Sequence, residues 1–268
     1  MLSIHRGFSH SIAFSVLGAL FIAIVLGRIK WFETITWPIR LLFSWLCLFT
    51  HMLLDTFTAY GTQLFLPFSD KRVGFDSINV VDPVYTIPLI IGLALSVWTS
   101  KSNNRKSKYN AWGLILSSLY LVFTVINKES VESNVSAIFK DQNIEYNSLL
   151  TMPVGMANMN WYGVDKGRDS IYMFEHSILT SKDNPIESFP INENYLHQID
   201  EEIADRMRWF AKGYYTVEKE GDKIRIYNLQ VDMRGVTNKD GKKVPTLGYF
   251  EVSNLNGKNE FSSGSIPK

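Results

Sequence analysis

Residues 37–61 read WPIRLLFSWLCLFTHMLLDTFTAYG. From Trp37 to Phe57 the run is long and apolar enough to enter a bilayer, which takes about 17–25 mostly apolar residues. It nevertheless carries His51 and Asp55 near its end. Ionisable groups beside lipid are costly and mark functional positions by default. On a helix, residues four apart stack on one face, so His51 and Asp55 lie one turn apart, and Thr58 and Thr62 continue the stripe. A neutral imidazole and a carboxylate at that spacing suit one shared metal ion or a bridged pair. The competing reading is a surface pair or a hydrogen-bonded core pair with no ion.

Three more apolar segments follow the same logic: Phe8 to Gly27, Val84 to Trp98 and Ala111 to Ile126. The last two are short and need a thin bilayer or flanking anchors. The first lacks a small-residue cleavage site before Arg28, which argues against a cleaved signal peptide. After Asn127 the composition turns polar, rich in Asn, Lys, Asp and Glu. The expected fold is an α-helical membrane bundle of about four hydrophobic helices over residues 1–127, followed by an α+β soluble domain over residues 128–268 with a flexible tail.

Within the polar half, Asn192 to Lys212 has a helical stripe of Leu196, Ile199, Ile203, Met207 and Phe210. Tyr214 to Glu218 and Lys223 to Asp232 alternate as strands around a turn at Glu220-Gly221-Asp222, and Asn238-Lys239-Asp240-Gly241 marks another turn. Residues from Val252 onward read as a frayed polar tail. His176 and His197 lack acidic partners at ligand spacing and are expected to be structural. Trp161, Tyr162, Trp209, Phe210, Tyr214 and Tyr215 are expected in the domain core.

The whole chain of 268 residues has a net charge of +1 and holds no Walker or dinucleotide motif; no nucleic-acid partner is expected. Its single cysteine, Cys47, permits no internal disulfide. Arg28, Lys30 and Arg40 in one loop, and Lys101, Arg105, Lys106 and Lys108 in another, place those loops in the cytoplasm by the positive-inside rule. Trp31, Trp37, Trp98 and Trp112 flank the same ends. The N-terminus, the loop from Tyr60 to Pro83 and the soluble domain then share the outer face of the membrane.

That face gathers a second cluster, His5-Arg6-Gly7-Phe8-Ser9-His10-Ser11. His5 and His10 converge only if a helix begins between them, and Ser9 is a fitting N-cap. Asp82, in Asp82-Pro83-Val84-Tyr85-Thr86, is a further ligand candidate or simply the start of a turn. Arg6 and Arg72 offer planar forks to an anionic group or to lipid headgroups.

The ordered series of residues 5–11, 51–61, 64–69 (LFLPFS) and 82–86 resembles the YdjM-type, LexA-regulated membrane-bound metal-dependent hydrolases of bacteria. The likeness is strongest over about residues 3–100. It implies a zinc-type hydrolase of the cytoplasmic membrane, with manganese as the alternative ion. His5, His10, His51 and Asp55 would be ligands, and Asp82 a weaker one. Members usually carry a Pro-Asp-x-Asp type acidic motif ahead of the His-Arg-Gly cluster. Here Met1 stands four residues before His5 and that motif is absent. Either the chain is a fragment or a mis-started reading frame, or its site has lost ligands.

The expectation is hydrolysis of a phosphoester or other ester, with membrane lipids as partners and a lipid or phosphoester as substrate. Asp55 would act as ligand or general base, and Arg6 or Arg72 would balance developing negative charge. The alternatives are an ion or proton relay transporter, and a stress-linked scaffold whose polar cluster only fixes helix packing.

Overall fold

The computed structural model describes residues 7–99, 106–144, 148–179, 186–230, 236–237, 241–255 and 258–266. It divides into two compact units, residues 1–76 and 77–268.

The first unit is built on two apolar helices, α1 (Ile12–Leu26) and α2 (Trp37–Asp55). The start of α1 is set by Ser11, whose hydroxyl accepts the Phe14 N–H at 3.1 Å. The cap expected at Ser9 therefore lies two residues too early. Residues Phe8–His10 form a 3₁₀ turn, which leaves Ser11 as the first residue with extended backbone angles and a side chain aimed at the helix.

Ser15, Ala19 and Ala23 are the buried residues of α1, spaced one turn apart, while Leu17 and Phe21 point outward. Small residues inside and large ones outside is the pattern of helices packed in lipid, where close backbone approach replaces a hydrophobic drive. The contact with α2 is tight: a Cβ on Gly18 would sit 3.0 Å from Leu48. Arg40 crowds Gly27 in the same way at the far end. Cys47 is exposed on α2.

The second unit opens with α3 (Pro83–Trp98), which packs on α4 (Lys106–Asp141). Glycines bring the two backbones together. A Cβ on Gly113 would lie 2.6 Å from the Pro88 carbonyl oxygen, and one on Gly92 would lie 2.8 Å from that of Tyr109. The Ser117 hydroxyl donates to the Tyr85 carbonyl across the pair at 2.7 Å.

By length and composition, α2 and the stretch Lys108–Asp141 of α4 suffice to cross a membrane, whereas α1 and α3 are shorter apolar helices. Trp31, Trp37, Trp98 and Trp112 are all exposed.

Helix α4 does not stop at Ile126. It continues to Asp141, and Val131, Val135 and Phe139 form a core with Trp161 and Phe174 of the following sheet. Hydropathy falls after Ile126, but apolar residues recur at intervals of four, and no Gly or Pro interrupts residues 114–152. Asn143, two residues past the helix, takes the left-handed conformation (φ 53°) while the Ile144 N–H returns to the Phe139 carbonyl, which closes the helix end.

Two four-stranded antiparallel sheets follow. The first is a meander of β1 (Leu149–Val154), β2 (Asn160–Lys166), β3 (Ser170–Ser177) and β4 (Glu187–Pro190). The second has the order β10-β9-β6-β5, from β5 (Tyr215–Glu220), β6 (Lys223–Asn228), β9 (Gly248–Leu255) and β10 (Lys258–Ser265). A short pair, β7 (Val236–Thr237) and β8 (Lys243–Val244), brackets the turn expected at residues 238–241, of which 238–240 lie outside the described residues.

The β5–β6 hairpin falls where alternation places it, around Gly221 at φ 60°. Trp161 and Tyr215 are fully buried, and His197 is exposed.

Two further expectations are corrected. The single helix over Asn192–Lys212 is instead a 3₁₀ turn (Glu193–Gln198) and then α5 (Glu201–Phe210). Asp200 causes the break, because its carboxylate accepts the N–H groups of Glu202 and Ile203 and so caps a new helix. The tail expected after Val252 is strand: β9 and β10 pair from Gly248↔Ser265 to Leu255↔Lys258. Val252 is buried there, and Phe250 stacks on Phe261 with ring centroids 5.6 Å apart.

Candidate metal centre

The last turn of α2 projects His51 and Asp55 together, as their spacing requires. The 3₁₀ turn before α1 supplies His10 at its last position. Gly7 precedes that turn, and its carbonyl accepts the His10 N–H at 2.9 Å.

The three side chains converge, with one donor atom from each lying within 4.8 Å of the others. His10 Nε2 is 3.3 Å from Asp55 Oδ2, and the His10 and His51 ring centroids are 5.4 Å apart. Tetrahedral zinc with bonds of about 2.0–2.1 Å separates its donors by roughly 3.4 Å, so the His10–Asp55 distance matches one edge of such a site. His10 and Asp55 are partly buried and His51 is exposed, which leaves one side of the cluster open.

Two local features suit a cation here. Asp55 is the final residue of α2, at the negative end of the helix dipole. A carboxylate is disfavoured at that end, and a bound cation offsets both the side chain and the dipole. The other ring nitrogen of His10, Nδ1, lies 3.0 Å from the Ser9 hydroxyl. A partner on one nitrogen fixes the ring and turns the other toward the ligand position, as outer partners do for metal-bound imidazoles.

The helix ends at Asp55, so Thr58 and Thr62 do not continue its face. Thr58 folds back to donate to the Asp55 carbonyl at 2.8 Å, and Thr62 lies in the following loop, bridged to Val73. Arg72 stands in that loop, half-buried, with Nε donating to the Tyr60 carbonyl at 3.2 Å and Nη2 donating to the same oxygen. His5 and Arg6 lie outside the described residues.

Asp82 belongs to the second unit. It caps α3, with Oδ1 accepting the Val84 N–H at 2.9 Å and Oδ2 accepting the Tyr120 hydroxyl at 2.7 Å. Sequence reading did not single out Tyr120, because nothing local links positions 38 residues apart. It also passed over Ser9 as a partner for His10, although an adjacent serine was the available signal.

Elsewhere in the second unit, a cavity of about 520 Å³ is lined by Tyr195, Glu218, Arg225, Tyr227 and Tyr249 among others. Most of its charged groups are engaged. Arg225 lies over the Tyr249 ring and bonds Glu251, and the Tyr227 hydroxyl donates to Glu218 at 3.0 Å.

Residues 1–131 match the family described as YdjM inner membrane protein. The uncharacterized protein YfhP of Bacillus subtilis (strain 168) is 31% identical over 120 residues, which cover 44% of this chain and 32% of that relative. The chain thus aligns with about a third of the curated relative's length. No solved structure matches.

Proposed function

From the match of residues 1–131 to the family described as YdjM inner membrane protein, we propose that the chain is a membrane-bound, metal-dependent hydrolase. The observation that carries the reading is the convergence of His10, His51 and Asp55, donors drawn from two separate elements. They would hold a divalent ion, zinc first and manganese as the alternative, with His5 completing the set as the family resemblance implies.

An ion in this place supplies Lewis acidity toward a water molecule and toward the oxygen of an ester. The chain's own groups do the rest. Asp55 serves as ligand or as general base. Ser9 keeps the His10 ring oriented. Arg72 and Arg6 offer guanidinium groups to an anionic substrate, a phosphoester or another ester. In this reading α1 to α4 all enter the bilayer, the basic loops face the cytoplasm, and the cluster opens at the outer face.

Metal analysis of the purified full chain tests the proposal. The expected result is about one divalent ion per chain, lost in His51→Ala together with esterase activity. Absence of zinc and manganese, with activity unchanged in His51→Ala, refutes it.

The close His10–Asp55 contact also suits a second reading, an ion or proton relay. Flux into liposomes that vanishes in Asp55→Asn, without any hydrolysis, would favour the relay.

A further inference from the structure

The loop after α2 is closed at its neck and apolar at its tip. Thr62 and Val73 exchange both backbone hydrogen bonds, at 2.8 and 2.9 Å. Inside the loop the Gln63 amide donates to the Asp70 carbonyl at 3.1 Å, and the N–H groups of Phe68 and Ser69 both return to the Phe65 carbonyl. This is a compact Ω-type loop that satisfies much of its own backbone. Thr62 and Gln63 at the root are buried, yet Phe65 is 48% exposed and Phe68 is 91% exposed.

The position of the tip says what covers it. The Leu64 carbonyl accepts the Ile12 N–H at 2.9 Å, so the loop is seated on the first residue of α1, two positions after His10. The outward face of α1 carries Val16, Leu17 and Phe21, and it runs through exposed Ile12 and Phe8 to that same end. Phe65 and Phe68 therefore extend an apolar surface already made by a helix packed as in lipid. Aromatic rings favour the boundary between acyl chains and headgroups. Lys71, beside the neck, is exposed, as is Asp70.

We propose that residues 62–73 form an interfacial wedge, with Phe65 and Phe68 inserted at the acyl–headgroup boundary, which brings headgroup esters of bilayer lipids to the His10, His51 and Asp55 centre. The substrate part rests on the hydrolase reading; the wedge itself does not. Hydrolysis of such an ester adds one water across the scissile bond. Its hydroxyl goes to the acyl or phosphoryl centre and its proton to the departing alkoxide, so no co-reactant is required.

The single cysteine makes a direct test available. In a Cys47→Ser background, Phe68→Cys carries an environment-sensitive fluorophore on the full chain, reconstituted in vesicles of phosphatidylcholine and phosphatidylglycerol. Nitroxide-labelled acyl chains should quench the probe, and aqueous iodide should not. Quenching by iodide alone overturns the wedge.

The double substitution Phe65→Ser/Phe68→Ser then addresses substrate. Hydrolysis of vesicle lipid should fall at least tenfold, while cleavage of soluble p-nitrophenyl phosphate is retained. Equal loss on both substrates overturns the lipid assignment. If the unmodified chain cleaves neither, the hydrolase reading and the substrate assignment fail together, and the quenching result still decides the wedge.

Discussion

Asp165 should make the first sheet less stable as the solution becomes less acidic. It sits on β2 between Leu149 of β1 and Tyr172 of β3, fully buried. Oδ1 accepts the Ser148 N–H at 3.3 Å, and buried Oδ2 has no hydrogen-bond partner among the described residues. Burial raises the carboxyl from its ordinary 3.8 to about 6, against the opposing hydrogen bonds from the Ser148 and Lys166 backbone.

The folded state therefore holds the proton more tightly than the unfolded chain does. The resulting stabilisation is fully present below pH 3.8 and is lost as pH rises through about 6. A difference of that size corresponds to about 3 kcal/mol. Asp165→Asn keeps the shape and removes the ionisation, so its stability between pH 4 and pH 7 should lack this decline.

The assay is thermal unfolding of the full chain in detergent, followed by tryptophan fluorescence, since Trp161 lies on the same strand. The unfolded carboxyl is already largely ionised at pH 4, so about 2.4 kcal/mol of the loss falls between pH 4 and pH 7. At about 2–4 °C per kcal/mol for domains of 150–250 residues, the Asp165→Asn melting point should gain about 5–10 °C on the wild type over that range. Parallel melting profiles for the two proteins would refute the reasoning.

Substitutions at two further positions separate packing from chemistry. Gly113→Ala places a methyl group 2.6 Å from the Pro88 carbonyl and should cost about 1–3 kcal/mol by overpacking, read as faster proteolysis between α3 and α4; unchanged resistance contradicts the close crossing. Asp82→Ala should lose about 1 kcal/mol with its cap, whereas Asp82→Asn, also a good cap, should lose little. If the cap is the whole role of Asp82, neither Asp82 variant alters bound metal; a metal deficit in Asp82→Asn with normal stability would assign Asp82 to the ligand set.

Local periodicity made α2 and its His51–Asp55 face legible, because spacing alone fixes which side chains share a helical turn. The approach of His10 is a tertiary fact. It depends on α1 packing against α2 and on a 3₁₀ turn that spacing does not announce. Ser9 and Ser11 are equal N-cap candidates by type, and only the bond to Phe14 separates them.

The end of α4 was hidden by reading hydropathy where periodicity was the better guide. The long apolar run masks the stripe of Val131, Val135 and Phe139 that follows. Strands β9 and β10 were hidden by composition, since Ser, Asn, Lys and Glu outnumber their apolar residues. The dipeptide Asn256-Gly257, a strong hairpin signal in sequence, was the clue available.

The unbroken course of α4 has a mechanical meaning. Its 36 residues span about 54 Å. One end is gripped by α3 through Gly92 and Gly113, and the other is embedded in the first sheet by Val131, Val135 and Phe139. Near the middle, Asn127 donates to Asn158 of the sheet domain, which in turn donates to the Ser77 carbonyl. A rod clamped at both ends has no swivel. Any roll of α4 against α3 must turn the sheet by the same angle, so torque applied to the polar domain is felt among the apolar helices without a hinge to absorb it.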